Sequence, residues 1–186
     1  MSPTRSLGAV LLVILSACAH EHGTAPNDPF LQAMIPHHRL GIEMLKHAQS
    51  RVDDVRVRRL VFEMSGYHGD ELHTLEMHLA HDGLVEATDF PGYVEPERLA
   101  ALDDVSGPTY DVGWLLLMIE HHRGAVELAD AEITRTEGGS DDERYDLARR
   151  IATLQRAEID EMETLARFLC DEHADLGPCD QVRASA

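Results

Sequence analysis

A six-residue segment recurs in this chain 84 positions on, identical at five positions, and any fold has to accommodate both copies. Met34-Ile35-Pro36-His37-His38-Arg39 is matched by Met118-Ile119-Glu120-His121-His122-Arg123, and the match runs on through Ile42/Val126 and Glu43/Glu127. A weaker match, 87 positions apart, aligns His68-x-x-Glu71-Leu72 with Gln155-x-x-Glu158-Ile159. Four helical patterns carry these segments. The first opens at Asp28-Pro29, a capping residue followed by Pro at the first helical position, and runs to about Gln49. The second runs from about Asp53 to Asp82 and stops at Gly83. Leu84 to Pro108, broken by Pro91, Gly92, Pro96 and Gly107, reads as a linker with a short helix near Pro96 to Asp103. The third runs from about Pro108 to Thr136, stopping at Gly138-Gly139. The fourth starts from the capping box Ser140-Asp141-Asp142-Glu143 and ends near Cys170. No alternation of strand type appears.

Two copies of a helix hairpin, each with one apolar stripe, can bury those stripes against each other. The expected fold is therefore all-α, a four-helix bundle built from two duplicated helix hairpins. The hairpins span 28–83 and 108–170 within one unit, 28–170, followed by a C-terminal tail, 171–186.

At about 100° per residue, Trp114, Met118, Ala125, Leu128 and Ala129 define an inward stripe, with His121 and His122 on either side of its centre. Met34, His37, His38, Gly41, Met44 and Leu45 repeat that geometry, and Gly41 and Ala125 leave room beside the imidazoles. On the partner helices, His68, Glu71 and His78 share a stripe with Met64, Leu72 and Leu75. Gln155 and Glu158 share one with Ile151, Ile159 and Met162. Buried carboxylates and imidazoles are costly unless paired or bound to metal. Two readings follow. Glu71 and Glu158 hydrogen-bond the histidines and lock the register, or the histidines and methionines are metal ligands oriented by Glu and Gln. The doubled Met-x-x-His-His favours metal.

Imidazole suits copper, zinc, nickel and iron, while thioether selects Cu(I), so copper, as Cu(I) or Cu(II), is expected ahead of zinc or iron. A di-iron oxidase would require Glu-x-x-His on two helices, which the chain lacks. Met34, His37, His38, Met118, His121 and His122 are the principal candidates. Met44, His68, Glu71, Gln155, Glu158 and Met162 are the supporting ones. Affinity is expected to fall as pH drops through the imidazole range, roughly 6 to 7. Pro36 should remove the helical bond to the Gln32 carbonyl, opening the backbone beside His37 for a ligand or as a tolerated bend. His73 and His81 read as solvated, and His47, near a helix end, needs no further role.

The N-terminus reads as an export signal over residues 1–17: Arg5, an apolar run from Leu7 to Leu15, then Leu15-Ser16-Ala17-Cys18. That last segment resembles a bacterial lipoprotein cleavage box, so Cys18 is the expected lipidation site and 18–27, with His20 and His22, a polar tether. An exported chain can keep a disulfide, and Cys170 with Cys179 is the expected pair, ahead of free thiols or metal ligation. With 34 acidic against 16 basic residues and a formal charge of -18, nucleic acid is excluded as a partner, because binding it relies on Lys and Arg.

The paired Met-x-x-His-His helices, with Gln155-x-x-Glu158-Ile159-x-x-Met162, resemble the bacterial family of the domain of unknown function 305 (DUF305). The resemblance covers most of Asp28 to Leu169 in two copies. It implies a ferritin-like fold and exported copper-binding proteins linked to copper resistance. The first copy departs from the second pattern, with His68 for Gln and Leu75 for Met, and Leu40 and Glu120 also depart, so identical sites are not expected. The expected function is copper sequestration or handling by a lipid-anchored protein of the bacterial cell envelope. Its expected partners are the metal ion, the membrane through the lipid, and an envelope copper-handling protein or a second copy. No nucleophile constellation or phosphate loop points to an enzyme. The alternatives are a metal-dependent oxidase of ferritin-like architecture and a metal-free helical interaction module.

Overall fold

The computed structural model describes residues 28–82, 85–136, 143–173 and 175–184. The export signal 1–17, Cys18, the tether with His20 and His22, the stops at Gly83 and Gly138-Gly139, and Ser140-Asp141-Asp142 lie outside the described residues, as do the side chains of Leu79 and His81. α1 (Pro29–Gln49) starts where the sequence places it. Leu31 N–H donates to Asp28 Oδ1 at 3.1 Å, Pro29 fills the first turn, and Arg144 holds the other Asp28 oxygen at 2.7 Å. α2 (Val55–Asp82) opens on Asp54, whose carboxylate accepts the Arg56 and Val57 N–H groups. Within the linker come α3 (Pro96–Ala100) and a single 3₁₀ stretch, Ala101–Asp104. α4 (Gly107–Thr136) and α5 (Glu143–Glu172) form the second hairpin. The tail carries a helix the sequence did not announce, α6 (Cys179–Ala184), stapled to α5 by the bond between Cys170 and Cys179. Among the described residues every regular element is helical, and no helix is long and apolar enough to cross a membrane.

α1 packs on α2, α4 packs on α5, and α1 against α4 joins the two hairpins. Asp111 on α4 reinforces that joint by accepting the Asp53 and Asp54 N–H groups at 3.0 and 2.7 Å. His47 does so as well: its ring meets Tyr110 Oη and Asp103 Oδ1, each at 2.9 Å, so it does have a structural task. Trp114, fully buried, donates its indole N–H to the Met44 carbonyl at 3.0 Å.

The apolar interior falls into two clusters. One gathers Met44, Leu45, Leu60, Met64, Trp114, Met118 and Met162. The other gathers Leu31, Met34, Ile35, Leu75, Ala125, Ala148 and Ile151. Along each of the four long helices, the buried residues between the two clusters are polar or glycine: His37, His38 and Gly41 on α1, His68 and Glu71 on α2, His121, His122 and Gly124 on α4, and Gln155 on α5, with half-buried Glu158 beside it. The repeated motif thus becomes one polar layer pressed between two greasy ones.

α1 is continuous through Pro36. The Gln32 carbonyl, which Pro36 cannot reach, accepts the Ala87 N–H at 2.8 Å. The expected backbone opening is therefore a socket for the linker rather than a ligand port.

Candidate metal centre

His37, His38, His68, His121 and His122 are all buried in the polar layer. Their ring centres form a chain: His37 stacks on His121 at 3.8 Å, His38 lies 5.3 Å from His68, and His68 lies 5.2 Å from His122. Every buried side-chain nitrogen or oxygen lacking a hydrogen-bond partner among the described residues belongs to this layer: His37 Nδ1, His68 Nε2, His121 Nε2, His122 Nδ1, Glu71 Oε1 and both amide atoms of Gln155. Buried polar atoms are normally paired, so this concentration at one level needs an explanation.

Proton placement supplies one. A carbonyl can only accept, so a ring nitrogen facing one must carry the proton, and the other nitrogen of a neutral ring is then a bare lone pair. His37 Nε2 donates to the His121 carbonyl at 3.0 Å, leaving Nδ1 bare. His68 Nδ1 donates to the Met64 carbonyl at 3.1 Å, leaving Nε2 bare. His121 Nδ1 donates to the Gly92 carbonyl at 2.8 Å, leaving Nε2 bare. His122 Nε2 donates to Glu158 Oε2 at 3.0 Å, leaving Nδ1 bare. This is how metal-ligating histidines are oriented, one N–H held by a carboxylate or carbonyl and the other nitrogen free. His38 differs. Its Nδ1 donates to the Met34 carbonyl at 3.1 Å and its Nε2 meets Glu71 Oε2 at 2.9 Å, so both nitrogens are engaged.

The environment keeps three of these rings neutral. Burial, reinforced by His121 and His38, holds His37 well below the ordinary imidazole range. Burial, with His122 and His38, does the same to His68. Burial and His122 push His121 down to about 3. For these three rings burial lowers the pH at which ligand competence is lost below the expected 6 to 7.

Gly41 locates the place where donors from the two hairpins meet. A Cβ there would lie 2.9 Å from His121 Nε2 and 3.3 Å from His68 Nε2. Two bare nitrogens, one from each hairpin, thus face the same methyl-sized cradle. The donor set fits a soft or borderline cation. Among the described residues, no group of three or more His, Cys, Asp or Glu side chains is already disposed around one point to hold a metal ion.

The linker closes one side of the layer. From its socket at Gln32 it brings Phe90 to 5.5 Å from the His37 ring and the Gly92 carbonyl onto His121. Gly92 has φ +76°, and a Cβ there would lie 2.5 Å from the His121 carbonyl oxygen. Gly124 permits the contact from α4, since a Cβ there would meet the Pro91 backbone.

Of the predicted soft ligands, Met34 lies in one apolar cluster and Met44, Met118 and Met162 in the other, all fully buried. Met64, which holds His68 through its carbonyl, was read from sequence as core alone. The linker residues Phe90 and Gly92 were also missed, and the only signals for them are a Pro-Gly pair and one aromatic in a linker. His78 is half-buried outside the layer and His73 is exposed.

The family model described as "Domain of unknown function (DUF305)" matches residues 14–79 and again 76–166. The chain belongs to the DUF305 family. Among solved structures, a DUF305 fragment from Deinococcus radiodurans aligns with TM-score 0.65 at 25% identity, covering 74% of this chain and 93% of its own. A DUF305 protein from Streptomyces coelicolor aligns with TM-score 0.57 at 26% identity, covering 80% and 90%. CopM in its Cu(I)-bound form aligns with TM-score 0.61 at 24% identity, covering 75% and 94%. No curated protein matches the chain.

Proposed function

We propose that this DUF305 protein is a non-catalytic copper-binding protein of the cell envelope, exported and lipid-anchored through Cys18, that sequesters copper or passes it on. The observation that carries this reading is the set of four bare imidazole nitrogens, on His37, His68, His121 and His122, in a layer that is otherwise sealed. His68 Nε2 and His121 Nε2, converging on Gly41, are the first pair to engage the metal, with buried methionines as soft donors for Cu(I). His38, held at both nitrogens, serves as an orienting partner of Glu71 in this scheme. CopM, a structural relative, is known in Cu(I)-, Cu(II)- and silver-bound forms, which supports the choice of metal. The Streptomyces coelicolor relative is named as a secreted protein, which supports export. The two hairpins, sharing one polar layer, fit a duplicated ferritin-like four-helix bundle over 28–170.

When bound, copper supplies the charge that the layer lacks, and the protein supplies preset tautomers and exclusion of water. The test is titration of the purified chain with Cu(I) and with Cu(II) at neutral pH, beside a variant with His37, His38, His121 and His122 replaced by Ala and a second with His68→Ala alone. Tight binding by the parent, lost in the first variant and weakened in the second, is expected. Equal stoichiometry and affinity in all three would sink the proposal in favour of a metal-free helical module.

A further inference from the structure

α2 packs chiefly on α1, and among the described residues its opposite face is left exposed. Val55, Phe62, Gly66, Gly69, His73 and Met77 fall within about 40° of one line on that face. Phe62 is 80% exposed, Val55 70% and Met77 56%, so the line, which also carries Arg59 at its edge, is largely apolar and open to solvent. A single exposed apolar residue is ordinary, but a row of them down one helix marks a contact surface.

The two glycines sharpen the point. Glycine weakens a helix interior relative to alanine. A Cβ at Gly66 or Gly69 would have nothing within 4 Å, so no neighbour in the chain requires either glycine. Gly41 and Gly124, by contrast, are pressed by a ring and by the linker backbone. A glycine pair flanked by large apolar side chains is what lets a second helix approach closely.

The charge pattern selects the occupant. The first half of α2 carries Arg56, Arg58 and Arg59 against one acid, Glu63, and the second half carries Asp70, Glu71 and Glu76 with no Lys or Arg. An antiparallel copy of the same helix sets each basic half against an acidic half, although the whole chain at -18 repels its own kind. A two-fold axis passing between Tyr67 and His68 also matches shapes, placing Phe62 opposite His73 of the partner subunit and Gly66 opposite the partner subunit's Gly69. We infer that the outer face of α2 is a self-association surface through which two copies of this chain form an antiparallel, two-fold dimer.

The inference does not depend on copper, and its test is run metal-free in chelator. Sedimentation of the full chain over a concentration series should show mass rising toward twice that of the monomer. Phe62→Glu should raise the concentration of half-dimerisation at least about tenfold. Gly66→Ala with Gly69→Ala should weaken the dimer while raising the melting temperature of the monomer, a pairing of effects that misfolding cannot produce. A chain carrying Phe62→Cys and His73→Cys should form a covalent dimer on mild oxidation. A monomer at every concentration, a dimer indifferent to these changes, or a face that takes up only a different protein would overturn the inference.

Discussion

The two copies of Met-x-x-His-His-Arg share a sequence but not a hydrogen-bond pattern. In the first copy the leading histidine, His37, spends its N–H on the carbonyl of the other copy, and the trailing one, His38, is tied at both nitrogens. In the second copy His121 is held by the linker through Gly92 and His122 is tied only to Glu158. One copy therefore offers one bare nitrogen and the other offers two, with His68 making up the deficit of the first hairpin. A repeated motif fixes where imidazoles stand, while residues outside the repeat decide which nitrogens can act.

The largest effect that tests this contrast is acid. His37, His68 and His121 are neutral in the fold yet protonate near 6.5 when unfolded, so the unfolded chain binds more protons and stability falls as the solution is acidified. Their contribution is fully present above 6.5 and is lost progressively below it, for His121 as pH drops toward about 3. Metal-free protein at pH 5.5 should be less stable than at pH 8 by on the order of 4 kcal/mol. Denaturant titrations at the two pH values read this directly, and a flat profile would mean that the rings are protonated in the fold. Gly92→Ala comes next. It forces a left-handed backbone on alanine and sets a methyl against the His121 carbonyl, so it should cost about 3 kcal/mol by thermal or chemical unfolding.

Gly41→Ala probes the meeting point of the two copies. The added methyl displaces the His121 and His68 rings, so copper affinity should drop roughly 10- to 100-fold while helix content is retained. Unchanged affinity would move the metal away from this pair. The smallest effect separates the two carboxylates. Glu158→Gln should lower copper affinity about tenfold by weakening the hold on the His122 tautomer. Glu71→Gln, acting on a ring with no bare nitrogen, should leave affinity unchanged and lower stability instead. Equal responses in the two variants would erase the distinction between the copies.

The sequence exposed the helices and the inward stripe because both follow from a period of 3.6 residues and from capping chemistry such as Asp28-Pro29. It also placed the histidines correctly at the interior. It could not show that His38 is engaged at both ends, since that depends on a carbonyl one turn back and on the reach of Glu71. Nor could it rank His68 with the principal residues, because the second hairpin carries Gln155 at the matching position. The role of the linker was hidden for a related reason. A close backbone approach between Gly92 and Gly124 leaves no periodic trace.

The Gln32 socket has a consequence for how this protein can vary. Ala87 is seated on α1 and Gly92 is clasped to α4, so the five-step path between them has a set span. Insertions should be absorbed outside this path, for example between Val94 and Pro96. One extra residue between Ala87 and Gly92 would unseat one end or the other. The proline that costs α1 a hydrogen bond therefore also dictates where the gene can grow.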